Sequence, residues 1–517
     1  MPETRRRIVL LGLLLALVAI GPAAAEPEAS FAERADALVQ PYARAGIFSG
    51  AVIVARDGVV LFRRAYGLAN REWSVANTPD TRFRIASLTK QFTAAAILRL
   101  QEDGRLALDD PAARHMPDLP PSWAPITLRM LLDHTSGLPN VTALPDYPTV
   151  IARTARTPME VVGRLFSEAL LFPAGSAQEY SNTGYVLLGA IIERITGEPF
   201  ADALRRLVLA PAGLAETGDA DPERVIPRRA EGYHRAAGTW RNAPPVAASA
   251  ALGAGGLVST LDDLVAWDRA LLSGRVLAPE SVAAMFQDRG HGYGLGWYLG
   301  KAYGRRLWSH GGFLNGFSAI KDTYPDLGLT IVVLGNTETA PAQALSRRLG
   351  ALALGEPEAT GITVPPNVLD RYVGFYRVGP RAVVALTRSG DRLVAQGTGL
   401  ARLELMPESD RVFVAGDGTR IALDLEPDGR ATGLLLDAPG SARSGPRIDA
   451  RTARRITARR LAWLVPREGP GRVANLSKRV YHRVKRRNAI PRAGEASRSN
   501  RARRHVRPQR SLAKSPP

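Results

Sequence analysis

Two hairpin signals far apart in the chain constrain its fold more than any other feature. Residues 51–55 (Ala-Val-Ile-Val-Ala) and 59–63 (Val-Val-Leu-Phe-Arg) flank Asp57-Gly58, while residues 316–321 and 329–334 are joined across Tyr324-Pro325-Asp326. Glycine accepts the positive φ of a tight two-residue turn, so Asp-Gly between apolar runs marks a β-hairpin. A helix is expected over residues 30–45, and the long stretch between the hairpins is mainly helical in pattern. The economical arrangement pairs the early and late hairpins in one antiparallel sheet, with the helices flanking it or forming a lobe beside it. The expected class is α/β, of the α+β kind.

The texture changes between about residues 369 and 436. Short strand-like runs at 372–376, 382–386, 392–395, 402–405, 411–414 and 421–425 alternate with turns such as Ser389-Gly390-Asp391, Gly416-Asp417-Gly418 and Pro427-Asp428-Gly429. Strands at this spacing predict a second, small antiparallel β-barrel. Residues 361–367, with Pro365-Pro366, read as the linker into it.

Both ends of the chain are distinctive. Arg5, Arg6 and Arg7 precede an apolar stretch over 8–20, and Ala23-Ala24-Ala25 offers a cleavage site. This is the pattern of a secretory signal peptide over residues 1–25, because a bilayer span needs about 20 apolar residues. Export to the periplasm or the medium is expected. At the other end, residues 451–517 carry 21 Lys and Arg against Glu468 and Glu495, which accounts for the whole formal charge of +19 and leaves residues 1–450 neutral. Charge therefore gives the main body no nucleic-acid role. Disorder is the expectation for the tail, with contact to a polyanion as its possible use.

The chain has no cysteine, so thiolate nucleophiles, disulfides and cysteine-held metals are excluded. The seven histidines contain no His-Glu-x-x-His spacing, no Gly-x-Ser-x-Gly occurs, and Gly253-Ala254-Gly255-Gly256 leads no phosphate-binding lysine; zinc hydrolase, α/β-hydrolase and nucleotide-binding readings all lose support. What remains is Ser87-x-x-Lys90, at the start of a strongly helical run ending near Asp103-Gly104. Residues three apart share a helix face, so Ser87 and Lys90 can touch. The positive end of the helix favours an alkoxide and a neutral amine there. The tetrapeptide alone is weak evidence, since an N-cap serine with a solvated lysine reads the same way. Four further segments strengthen it: Tyr180-Ser181-Asn182; Trp308-Ser309-His310-Gly311-Gly312; Asp133-His134-Thr135-Ser136-Gly137; and Gly255-Gly256-Leu257-Val258-Ser259-Thr260. A phenol can shuttle a serine proton, and an amide can hold a carbonyl and an ammonium. His134 is expected to serve its own loop structurally, and Tyr298 and Trp308 either line a cleft or pack under the sheet.

With Ser87-x-x-Lys90, Tyr180-x-Asn182 and His310-x-Gly312 in order, the chain resembles the serine β-lactamase and penicillin-binding protein superfamily from about residue 48 to 336. The resemblance implies a catalytic domain of β-lactamase/transpeptidase type over 26–360, followed by a lipocalin-like barrel over 366–449 and the basic tail over 450–517. It implies Ser87 as acyl-accepting nucleophile, Lys90 and Tyr180 as the proton-transfer pair, and Asn182, His310, Gly311, Gly312 and Phe313 as substrate-binding. Backbone N–H groups of Ser87 and Phe313 would form the oxyanion hole. Where many β-lactamases have lysine this chain has His310, whose charge is marginal at neutral pH; that weakens attraction for a substrate carboxylate and weighs against penicillin hydrolysis. No metal or organic cofactor is implied. The expected activity is hydrolysis of a small amide or ester, whether D-amino-acid peptide, peptidoglycan fragment, β-lactam or simple ester, through an acyl-enzyme. The rival reading is a non-catalytic module that binds cell-wall fragments or a partner.

Overall fold

The structure is a computed structural model, which describes residues 29–154, 157–221, 223–236, 239–338, 340–356, 364–380, 382–398, 400–407, 411–415, 419–426, 428–438 and 441–457. The signal peptide expected over 1–25, the start of the linker at 361–363, the turn at 416–418 and the tail from 458 onward lie outside these residues.

Helix α1 (Phe31–Arg44) starts at a capping box, with Ser30 Oγ accepting from the Glu33 N–H while the Glu33 carboxylate accepts from the Ser30 N–H. Strands β1 (Gly50–Arg56) and β2 (Val59–Tyr66) form the early hairpin around Asp57 and Gly58, both at positive φ. Three helices then matter to the site: α2 (Thr89–Glu102), α3 (Asn182–Thr196) and α4 (Ala248–Gly255). Helix α5 (Leu261–Leu272) leads back to the sheet, where β3 (Tyr298–Ala302), β4 (Arg305–Leu314), β5 (Phe317–Tyr324) and β6 (Leu329–Gly335) precede α6 (Ala342–Leu354). The six strands lie in the order β3-β4-β5-β6-β1-β2, with β1 antiparallel to β6 from Gly50 opposite Gly335 to Arg56 opposite Leu329. The two hairpins thus share one sheet, as expected.

Strand β1 reads as an unbroken apolar run because it is buried on both faces. Ala51, Ile53 and Ala55 join the core that contains α2, α3 and α5, whereas Val52 and Val54 pack with residues of α1 and α6. Within β5, Lys321 is fully buried and ion-paired to Asp268 of α5, whose other oxygen accepts from Thr323 and Thr330.

The barrel is closed and has eight strands, two more than the sequence runs suggested. They are β7 (Gly374–Gly379), β8 (Ala382–Ser389), β9 (Arg392–Gly397), β10 (Leu400–Pro407), β11 (Val412–Ala415), β12 (Arg420–Leu425), β13 (Ala431–Ala438) and β14 (Ser441–Ile448). Tyr376, Leu393, Phe413, Ile421 and Leu434 fill its interior. Beyond it, Ala450–Thr457 is a helix with Ala453 buried, so order extends past the point where the disordered tail was expected to begin.

Candidate active site

Ser87 lies in one 3₁₀ turn, Ala86–Leu88, that runs directly into α2. Ala86 has φ +47°, a left-handed conformation costing a residue with a Cβ roughly 1–3 kcal/mol. The turn is tied down by the Ile85 N–H, which donates to the Leu257 carbonyl at 3.0 Å.

Lys90, on the first turn of α2, is fully buried. Its Nζ lies 3.1 Å from Ser87 Oγ, 2.8 Å from Asn182 Oδ1 and 2.7 Å from the Ala254 carbonyl oxygen. Burial drives its pKa well below the usual lysine value. Asn182 Oδ1 and the Ala254 carbonyl can only accept, so a neutral amine gives them its two N–H groups and presents its lone pair to Ser87.

Tyr180 donates its phenol O–H to the same Ser87 Oγ at 2.9 Å, and burial holds its pKa above the ordinary tyrosine value, so the phenol keeps its proton. Asn182 opens α3. Its backbone N–H donates to Asn140 Oδ1 at 3.2 Å and its Nδ2 to Thr142 Oγ1 at 3.3 Å, which turns Oδ1 toward Lys90. His134, at φ +64°, brackets the tyrosine: its carbonyl accepts the Glu179 N–H at 3.0 Å, its Nδ1 accepts the Ser181 N–H at 3.3 Å, and its ring centroid is 4.3 Å from that of Tyr180.

His310, Gly311, Gly312 and Phe313 lie within β4, with Phe313 opposite Ser318 of β5. A Cβ at Gly312 would stand 2.4 Å from the Ile85 carbonyl oxygen, so only glycine lets this strand press against the Ser87 turn. Phe313 follows at the point of closest approach and is exposed. His310 does not have the place expected of it. Its side chain is fully buried, with Nε2 2.9 Å from the Tyr293 hydroxyl and Nδ1 2.6 Å from the Gly311 carbonyl oxygen. That carbonyl can only accept, so Nδ1 carries the proton and Nε2 accepts from the phenol; burial lowers the pKa to about 3 and the ring is neutral. Enclosed and neutral, it offers no charge to the space around Ser87.

A cavity of about 430 Å³ opens beside Tyr180. Glu179, His291 and Tyr298 line it from one side, and Val378, Gly379 and Arg443 of the barrel from the other. Tyr298 therefore belongs to the cleft, whereas Trp308 stacks on Phe286 at a centroid distance of 3.6 Å and lines a different groove.

The sequence reading missed Asn140, Thr142, the Ala254 carbonyl, Tyr293 and the pair Glu179–Arg443. Only Ala254 had a local signal, the glycine run discarded as a nucleotide site. A Cβ at Gly253 would meet the Tyr185 carbonyl oxygen at 2.6 Å, so the glycines serve to bring α4 against α3 and its carbonyl to Lys90.

A serine beside a buried amine and a phenol, set between a helix and a sheet, defines a serine hydrolase. The particular family follows from comparison: residues 35–355 match the family model described as Beta-lactamase, and the chain belongs to that family. It is 29% identical over 423 residues to penicillin-binding protein 4* of Bacillus subtilis (strain 168), an overlap covering 75% of this chain and 93% of that one. It is 32% identical over 357 residues to a D-aminopeptidase of Gluconobacter oxydans (strain 621H), covering 66% of each. The crystal structure of D-amino acid amidase from Ochrobactrum anthropi SV3 complexed with D-phenylalanine superimposes with a TM-score of 0.55 at 28% identity, over 63% of this chain and 98% of that one.

Proposed function

We propose that the protein is an exported hydrolase that cleaves small amides or esters, D-aminoacyl and peptidoglycan-derived ones foremost, through an acyl-enzyme on Ser87. The observation that carries this reading is the triple coordination of Lys90, which leaves a neutral amine one unshared pair and aims it at Ser87 Oγ. In the first step the Ser87 proton passes to Lys90 Nζ while Oγ bonds to the substrate carbonyl carbon. The carbonyl π electrons move to oxygen, and the N–H groups of Ser87 and Phe313 hold the resulting oxyanion. Collapse restores the carbonyl and breaks the bond to the leaving nitrogen or oxygen. That atom takes a proton from the Tyr180 hydroxyl, which the Lys90 ammonium reprotonates. Water, deprotonated by the same pair, then releases the acyl group and returns the proton to Ser87.

The D-aminopeptidase and D-amino acid amidase among its relatives support the D-aminoacyl part of this reading. Intact-mass measurement after treatment with a fluorophosphonate tests it: one adduct on the wild type and none on Ser87→Ala is expected, whereas a non-catalytic binding module gives no adduct on either. Recovery of the protein outside the cytoplasm, beginning near Glu26, tests its export.

A further inference from the structure

The cavity beside Tyr180 is lined by a cation from the other domain. Two basic groups near Ser87 are unavailable: His310 is neutral and buried, and Lys90 is enclosed by Ser87, Asn182 and Ala254. Among the described residues that line the cavity beside Tyr180, Arg443 of β14 is the one Lys or Arg and Glu179 the one carboxylate. They meet across the domain boundary, Arg443 Nη2 to Glu179 Oε1 at 2.9 Å, and both stay partly open, at 26% and 18% side-chain exposure. Glu179 immediately precedes Tyr180 and is fixed by its N–H to the His134 carbonyl, so the guanidinium is held one residue from the phenol that contacts Ser87. A guanidinium has five donors in a planar fork, more than one carboxylate oxygen can use, and a fork suits a second carboxylate.

We propose that Arg443 of the barrel is a specificity-determining residue that binds a free carboxylate on the substrate, such as the C-terminus of a short peptide, with Glu179 as the resident counter-ion that the substrate's carboxylate displaces or shares. The proposal rests on the hydrolase reading for its substrate but adds a residue, a domain and a charge to it. Burial already raises the Glu179 carboxyl pKa while Arg443 lowers it, so the carboxylate depends on its partner.

Titration calorimetry on the full chain bearing Ser87→Ala tests this without turnover. The ligands are N-acetyl-D-alanyl-D-alanine and its C-terminal amide. The acid is expected to bind more tightly than the amide. Adding Arg443→Ala should lower the acid's affinity about tenfold and close the gap, Arg443→Lys should keep part of it, and Glu179→Gln, which frees the guanidinium, should widen it. An acid-to-amide ratio indifferent to Arg443→Ala, a narrower gap in Glu179→Gln, or no measurable binding of the acid overturns the proposal. Fluorophosphonate labelling separates the two readings: a chain that labels but ignores Arg443 loses only this inference, and one that never labels but follows Arg443 loses only the hydrolase.

Discussion

The ε-amino group of Lys90 faces two atoms that can only accept and one hydroxyl that can do either. Replacing it by methionine keeps an apolar stem of similar length and removes the proposed base. Adduct formation on Ser87 in Lys90→Met should fall by roughly 10²–10⁴-fold, the range of a positioned base, as followed by the rate of fluorophosphonate labelling. In the wild type that rate should fall as the pH drops and the amine takes a proton. Stability carries the same signature. Because the native pKa of Lys90 is depressed, the unfolded chain binds a proton that the folded chain does not at pH values between the native value and the ordinary lysine value of about 10.4. Wild-type stability therefore rises with pH across that window. The melting temperature of Lys90→Met relative to wild type should be higher at about pH 7 than at about pH 9.5, and an equal difference at both would mean an unshifted lysine. Spacing alone made Ser87 and Lys90 legible, since i and i+3 meet on any helix. Tyr180 and Asn182 were legible as a motif. Asn140 and Arg443 were not, because each acts through a contact made by the folded chain, 42 residues from Asn182 in one case and across the domain boundary in the other.

Elements place these residues, and two of their contacts can be tested directly. The approach of β4 to the Ser87 turn depends on the missing side chain of Gly312, so Gly312→Ala must push the strand, and the Phe313 N–H with it, away from the turn. Loss of one oxyanion donor, the role proposed for the Phe313 N–H, lowers kcat by about 10²–10³-fold; hydrolysis of a p-nitrophenyl ester by Gly312→Ala should show a fall of that order with little change in KM. The join between β5 and α5 is the buried Lys321–Asp268 pair. Asp268→Ala strands an ammonium and should cost about 3–5 kcal/mol in denaturant unfolding, whereas Asp268→Leu combined with Lys321→Met should recover most of that loss. The early and late hairpins were legible because a turn signal between two apolar runs, Asp57-Gly58 in one and Tyr324-Pro325-Asp326 in the other, needs no tertiary context. Strands β3 and β4 were not, since Tyr298–Ala302 and Arg305–Leu314 mix glycine, arginine and histidine without alternation. Strand β14 carries Gly445 and Pro446 and likewise hides its period.

The described residues form three separate apolar cores, two on the faces of the six-stranded sheet and one inside the barrel. Phe413 belongs to the last of these, and Phe413→Ala should remove about 3–5 kcal/mol from it. In scanning calorimetry that change is expected to lower one transition and leave a second, which a covalent adduct on Ser87 raises; a single transition moved by both would mean that the cores melt together. The barrel as a separate unit was legible from turn spacing, but its wall in the cavity beside Tyr180 was not, since Val378, Gly379 and Arg443 have no reason in sequence to face Tyr180. The barrel closes where β7 meets β14, in a register of two described pairs, Phe375 with Ile448 and Tyr376 with Arg447. Arg443 stands on β14, four residues before Arg447 of that closing ladder. The side chain that meets Glu179 is thus carried by the very strand that completes the cylinder, so a change in how the two ends of the barrel join would be felt next to Tyr180.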